Sequence, residues 1–131
     1  MAEDGSISVK NMMNGLLLHV DKSENLANLA RLLFVDKANA VIVRDGGIPI
    51  GIVTSKDILK GIIKLDRSPH SIKADEIMSS PIITVDHLDG PDNVRDVMLN
   101  SKINKIPVKK DLDIIGLVIQ TDIIRNMEFF R

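Results

Sequence analysis

The sequence carries an internal repeat in which residues 10–66 align with residues 75–131 without a gap. About a dozen aligned positions are identical, which indicates two copies of one supersecondary unit. The identities are densest around a glycine and an aspartate, two residues that add nothing to bulk hydrophobicity. Ile50, Gly51, Val53, Asp57 and Ile58 pair with Ile115, Gly116, Val118, Asp122 and Ile123. We therefore expect two repeats, one at residues 1–68 with an N-terminal extension and one at residues 69–131.

Both copies predict the same order of local structure: strand, helix, strand, strand, helix. Ser23 or Asn25 can cap the first helix, because a short polar side chain accepts a hydrogen bond from the unpaired N–H groups at a helix start. Asp45-Gly46-Gly47 predicts a hairpin turn, since these residues tolerate positive φ. The expected strands are 16–20, 40–43, 48–53, 82–85, 106–108 and 114–119. The expected helices are one that runs through Leu26, Leu29 and Leu33, one over 55–65, one around 93–99 and a closing helix that ends at Phe130. The sequence thus predicts an α/β fold of the α+β kind, with two pseudo-symmetric βαββα repeats packed together.

Composition narrows the classes of function. Hydrophobic residues make up 44% of the chain, yet it has three Phe and no Trp or Tyr, so aliphatic side chains must fill the core of a helix-covered sheet. A net charge of −1 provides no electrostatic attraction to nucleic acid or to an anionic membrane. The lack of Cys and of a signal sequence predicts a cytoplasmic protein. His19, His70 and His87 follow no metal-ligand spacing, and nothing in the sequence predicts an enzyme.

The segment from Gly51 to Asp57 runs from a strand end into the first turn of a helix. Unpaired N–H groups and the helix dipole favour an anion there; Thr54 and Ser55 add hydroxyls, and Lys56 adds a cation. Asp57 is an acceptor with two oxygens, which suits a ribose diol. The alternative is structural: Ser55 is an N-cap, Asp57 interacts with the helix dipole, and Gly51 keeps the strand end tight. The second copy repeats the spacing from Gly116 to Asp122.

These motifs resemble those of a tandem pair of cystathionine-β-synthase-type (CBS) domains, the Bateman module, over roughly residues 9–131. The resemblance rests on the two Gly-to-Asp segments, whose order is kept in both copies, and on three further pieces. These are Met13, Asp75-Glu76-Ile77-Met78, and Asn104-Lys105-Ile106-Pro107-Val108. The resemblance implies a regulatory role, with AMP, ADP, ATP or S-adenosylmethionine bound in clefts between the two repeats.

The resemblance also implies roles for single residues. The Asp of the motif holds the ribose and the Thr hydroxyl lies near phosphate, so Asp57 and Thr54 match fully. In the second copy Asp122 matches, but Ile119 stands in place of Thr, and Thr121 either supplies the hydroxyl or caps the helix. Further residues expected to contact the adenine are Leu18, His19 and Ala40 in the first copy and Ile83, Thr84 and Lys105 to Pro107 in the second. Lys102 and Lys105 are candidate phosphate partners, or else ordinary surface lysines.

Both closing helices carry apolar residues on more than one face, which predicts self-association as a homodimer. The leading hypothesis is a regulatory module that binds an adenine nucleotide and signals to a separate protein. The alternatives are a structural dimerisation module with degenerate clefts, or a module for S-adenosylmethionine.

Overall fold

The computed structural model describes residues 7–13 and 15–126. The first repeat contains β1 (Leu17–Asp21), α1 (Leu26–Phe34), β2 (Ala40–Asp45), β3 (Ile48–Val53) and α2 (Ser55–Leu65). A four-residue helix α3 (Ala74–Ile77) follows, and the second repeat contains β4 (Val85–Asp86), α4 (Pro91–Ser101), β5 (Lys105–Lys110), β6 (Asp113–Ile119) and α5 (Gln120–Arg125). Short 3-10 turns lie at Val9–Asn11 and Pro69–Ser71. The mixed α and β content and the βαββα order of each repeat confirm the predicted fold class.

Each repeat forms its own three-stranded sheet, with strand orders β1-β2-β3 and β4-β5-β6. The first two strands of each sheet are parallel, and the last two form an antiparallel hairpin. The registers match between the sheets, because Val43 pairs with Gly51 in one and Val108 with Gly116 in the other. The sequence repeat is therefore also a repeat of strand pairing.

Local signals explain where the elements of the first repeat begin and turn. Asn25 caps α1 by accepting a 2.8 Å hydrogen bond from the Asn28 N–H, so the second of the two predicted caps is correct. Leu26, Leu29 and Leu33 are buried on one face of α1, as their helical spacing predicts. Gly46 and Gly47 have positive φ values of 58° and 85°, which confirms the predicted hairpin turn.

The described residues form two compact units, one continuous in sequence and the other built from two segments. One unit is Leu16–Ile82, and the other combines, among the described residues, 83–126 with 7–13 and 15. In the first unit Ile72 and Ala74 are buried in the core, and two hydrogen bonds, Leu26 N to Ile72 O and Ala74 N to Glu24 O, bind this segment to the start of α1. The segment that precedes the second repeat therefore completes the core of the first.

The second unit is completed in the same way by the N-terminal segment. Val9 and Met12 are buried in its core cluster. The Val9 N–H donates to Asp89 O at 2.7 Å and the Lys10 N–H to His87 O at 3.0 Å. The two compact units do not divide the chain at residue 68. That boundary separates the two repeats in the sequence and is not a boundary between the compact units.

Three elements differ in extent from their predictions. The first strand of the second repeat is Val85–Asp86 and not 82–85, because only these two residues pair with β5. Helix α4 begins earlier than predicted, with Pro91 at its first position, where a missing N–H costs no hydrogen bond. The predicted extension of the last helix through Met127, Phe129 and Phe130 lies outside the described residues. Within the described part of the chain, no helix has the length and apolarity needed to cross a membrane.

The N-terminal segment generates a testable prediction. Val9→Ala should destabilise the second repeat by roughly 1–3 kcal/mol, because Val9 is fully buried there and its truncation removes apolar contact and leaves a cavity. Amide hydrogen exchange followed by NMR should show faster exchange in β5 and β6 than in the unaltered chain. Exchange in β2 and β3 should stay unchanged.

Lys10→Ala is the matched control, because Lys10 is the exposed neighbour of Val9. Faster exchange confined to the first repeat would contradict the assignment of this segment to the second core.

Candidate functional site

The candidate site of the first repeat lies at one end of its sheet, where β2 begins and β3 passes into α2. Val41 pairs with Val53 across the hairpin, so Ala40 and Thr54, the next residues outward, are neighbours at this end. Thr54 is the N-cap of α2, and Asp57 is the third residue of that helix. The structure thus brings together three predicted site residues, Ala40, Thr54 and Asp57.

The carboxylate of Asp57 is buried, with 7% of the residue exposed, and both of its oxygens are hydrogen-bonded. Oδ2 accepts the Thr54 N–H at 2.8 Å and the Thr54 hydroxyl at 3.3 Å. Oδ1 accepts the Ser79 hydroxyl at 2.8 Å. One oxygen therefore fixes the start of α2, which is one half of a capping box, and the other binds the segment that follows α3.

Asp122 holds the same position in the second repeat and is 3% exposed. Its Oδ2 accepts the Ile119 N–H at 3.0 Å, so the helix contact of Asp57 is reproduced. Its Oδ1 lies 3.8 Å from a guanidinium nitrogen of Arg125. The two sites share the acidic residue, but a cation one helical turn later accompanies the second carboxylate.

The repeated glycines of β3 and β6 each face a methionine. A Cβ on Gly51 would lie 2.5 Å from Met78 Sδ and 3.0 Å from Ser79 O. A Cβ on Gly116 would lie 2.5 Å from Met13 Sδ. Both distances are shorter than van der Waals contact allows, so close packing by itself requires glycine at these positions. A role for Gly51 and Gly116 in ligand binding stays a prediction.

Two residues predicted to contact adenine, Leu18 and His19, are successive in β1, and successive side chains of a strand point to opposite faces. Leu18 packs against the core of its own repeat. The exposed His19 accepts a 3.0 Å hydrogen bond from Arg44 Nε at its Nδ1. Partial burial and, second, the charge of Arg44 hold the pKa of His19 below its usual value. Neutral imidazole, which accepts this bond, is therefore favoured. The contacts of Leu18 and His19 with adenine stay predictions.

The other predicted site residues are placed as follows. Ser55 and Lys56 are exposed at the first two positions of α2. Lys105, half-buried at the start of β5, pairs with Ile119, and the buried Pro107 pairs with Leu117 two residues further along. The half-buried Thr84 and the exposed Ile83 precede β4, and the exposed Lys102 ends α4. The second copy thus brings Lys105, Ile119 and Asp122 to the same end of its sheet.

Two proposed caps are wrong by one or two positions. The N-cap of α2 is Thr54 and not Ser55, which is the first helical residue. The N-cap of α5 is Ile119, so Thr121 is the second helical residue and not the cap. In both helices the N-cap N–H is bound by the aspartate three residues later, and a capping hydroxyl on the following residue is not required.

Ser79 and Arg125 contact the two aspartates, and neither was predicted to do so. Ser79 is distant in sequence from Asp57 but forms an antiparallel bridge with Ile52 of β3. The sequence gives one indirect signal, because Ser79 directly follows Met78, which is aligned with Met13 in the repeat. Among residues 7–13 and 15–126, the His, Asp and Glu side chains form no group that could hold a metal ion.

The family model of the CBS domain matches residues 9–64 and residues 74–128. The chain therefore belongs to the CBS domain family, and its two repeats are two CBS domains. The match is to a regulatory, ligand-binding family and indicates no catalytic one.

One relative of similar sequence is matched over only part of its own chain. Protein MK0525 of Methanopyrus kandleri is 31% identical over 88 residues, which are 66% of this chain and 45% of that protein. The chain thus spans less than half of that relative's length.

Two solved structures share the fold. The CBS domain pair of protein MJ0100, in complex with 5-methylthioadenosine and S-adenosyl-L-methionine, is 26% identical with a TM-score of 0.77, and the match covers 92% of this chain and 94% of that one. The hexameric CBS-CP12 protein from bloom-forming cyanobacteria is 23% identical with a TM-score of 0.84, covering 95% of this chain and 70% of that one.

The glycine–methionine contact yields a second prediction. Gly51→Ala should lower the free energy of unfolding by about 1–3 kcal/mol, because the new Cβ overlaps Met78 and the Ser79 carbonyl. Urea denaturation measures the change. Adding Met78→Ala should relieve part of the overlap, so that the double variant loses less than the sum of the two single variants. Strict additivity would show that the methionine is not what excludes a side chain at position 51.

Proposed function

We propose that this chain is a regulatory module that binds an adenosyl ligand, and that Asp57 receives the ribose. The observation that carries the proposal is the buried Asp57 carboxylate at a helix start, with a hydroxyl and a cation beside it in sequence. A ribose hydroxyl is a hydrogen-bond donor, and a carboxylate oxygen is a strong acceptor for it. The downstream regulated protein and a cytoplasmic location belong to the same proposal.

The site of the first repeat is better suited to a phosphorylated ligand than that of the second. Thr54 offers a hydroxyl at the N-cap of α2, an eleven-residue helix, and Lys56 adds an exposed cation in its first turn. At the equivalent N-cap the second repeat has Ile119, which offers no polar side chain. Since phosphate binds through N–H groups, hydroxyls and cations, we assign the phosphate-bearing ligand to the first repeat.

Charge favours AMP, ADP or ATP over S-adenosylmethionine as the ligand. Lys56 is exposed beside the candidate site and has no counter-ion among the ion pairs of the described residues. A phosphate is attracted by this charge, whereas the sulfonium of S-adenosylmethionine is repelled by it. The MJ0100 complex holds the adenosyl compounds 5-methylthioadenosine and S-adenosyl-L-methionine, so S-adenosylmethionine is the comparison ligand.

The third prediction tests the ribose contact. Asp57→Asn should weaken AMP binding about tenfold or more, because the neutral amide removes the charge and one of the two acceptor oxygens. Its remaining oxygen can still accept the Thr54 N–H, so α2 should stay folded. Isothermal titration calorimetry with AMP, ADP, ATP and S-adenosylmethionine measures the affinities.

Asp122→Asn is the matched control, with the same chemical change in the repeat that lacks the threonine. A tenfold loss with Asp122→Asn and none with Asp57→Asn would place the ligand in the second repeat. No heat with any of the four compounds would favour the structural alternative.

We propose further that the chain self-associates through the outer face of α2. Leu59, Ile62 and Ile63 are 59%, 53% and 71% exposed, while Ile58 on the inner face is buried in the core. Residues spaced three and four apart lie on one side of a helix, so these three form a continuous apolar surface. A second copy of the chain presents the same surface and can cover it across a two-fold axis. The same surface supports the alternative of a purely structural dimerisation module.

The fourth prediction concerns this surface. Ile62→Glu should shift the protein to a monomer at micromolar concentration, because a carboxylate in an apolar interface is costly to desolvate. Sedimentation velocity measures the change. Lys60→Glu, which adds a carboxylate to the same helix without removing apolar area, should leave the oligomer intact. If the unaltered chain sediments as a monomer, α2 is not an interface between copies.

A further inference from the structure

Access to the Asp57 carboxylate is limited by its own hydrogen bonds. Oδ2 binds the Thr54 N–H at 2.8 Å, and this bond fixes the start of α2. A ligand cannot displace that donor without opening the first helical turn. Oδ1 takes no part in the helix cap, so it is the oxygen that a ribose can reach while the helix stays intact.

Ser79 already occupies this available oxygen. Its hydroxyl donates to Oδ1 at 2.8 Å, within the range of a strong hydrogen bond to a charged acceptor. Asp57 is only 7% exposed, so little of the carboxylate is open to a ribose while the Ser79 hydroxyl is bonded to Oδ1.

The backbone of Ser79 is held separately from its side chain. The Ser79 N–H donates to Ile52 O at 2.8 Å, and the Ile52 N–H donates to Ser79 O at 3.0 Å. These bonds fix the residue to the edge of β3 and leave the hydroxyl free to rotate about χ1. Giving up Oδ1 therefore requires one side-chain rotation and no movement of the segment.

We propose that the Ser79 hydroxyl is an internal competitor that sets the affinity of the site for its adenosyl ligand. In the free protein it satisfies Oδ1, and on binding it yields this oxygen to a ribose hydroxyl. The free energy of the Ser79 bond is then subtracted from that of ligand binding. This inference rests on the proposed function, since it concerns the regulation of the same carboxylate.

Among the contacts that the structure describes, Asp122 differs from Asp57 at this oxygen. Asp122 Oδ1 faces the guanidinium of Arg125 at 3.8 Å, a longer contact than that of Ser79 with Asp57. The residue equivalent to Arg125 in the first repeat is Lys60, which makes no ion pair within the described residues. The proposed competition by a hydroxyl thus belongs to the first repeat.

The test is the AMP affinity of Ser79→Ala, measured by isothermal titration calorimetry on the full chain. We expect binding about 3- to 10-fold tighter, because removing the hydroxyl removes a hydrogen bond that the ligand must otherwise replace. The midpoint of thermal unfolding of the free protein should fall slightly, since Oδ1 loses a donor, and AMP should raise that midpoint more than it does in the unaltered chain. Ser79→Thr keeps the hydroxyl and should bind AMP like the unaltered chain.

The outcomes separate this inference from the proposed function. Suppose that AMP binds the unaltered chain and that Asp57→Asn weakens this binding. If Ser79→Ala then binds AMP equally or more weakly, the adenosyl site is supported and the proposal that Ser79 competes with the ligand is overturned. Weaker binding would identify Ser79 as a ligand contact. If the unaltered chain binds no adenosyl compound, the proposed function and this inference are both overturned.

Discussion

The hydrogen bond that the N-cap N–H donates to the oxygen of an aspartate three residues later is the contact on which both repeats depend. Asp57 makes it to Thr54 and Asp122 to Ile119, so a buried charge in each repeat fixes the point where a strand becomes a helix. Burial of a carboxylate is tolerated there because unpaired N–H groups and the positive end of the helix dipole surround it. Stability and the candidate binding chemistry therefore share one side chain.

The sequence was sufficient to predict the features that depend on local pattern and on repetition. The Gly46-Gly47 turn, the extent of α2 and a cap of α1 at either Ser23 or Asn25 follow from residue type and spacing, and the structure selects Asn25. The N-cap of α2 was predicted wrongly as Ser55 when it is Thr54, because neighbouring hydroxyl residues have similar capping propensity. The contact of Ser79 with Asp57 also escaped prediction, since it depends on a strand bridge between residues far apart in sequence.

The two repeats have kept the same backbone pairing while their sites have diverged. Gly51 and Gly116 occupy equivalent registers and each faces a methionine, so packing accounts for their recurrence whatever the ligand. Around the aspartates, by contrast, the described contacts come from a threonine and a serine in one repeat and from an isoleucine N–H and an arginine in the other. Packing requirements explain what was retained after duplication, and the polar neighbours of the carboxylates are where the repeats became different.

The segment before each repeat packs in the core of the other repeat, so the two repeats depend on each other to complete their cores. Ile72 and Ala74, encoded after the first repeat, fill its core, and Val9 and Met12, encoded before it, fill the core of the second. A fragment cut between the repeats would lack part of its own interior and carry a superfluous piece of its sister's. Recombination could therefore move this pair between proteins only as a whole, and two half-chains expressed together should be able to complement each other.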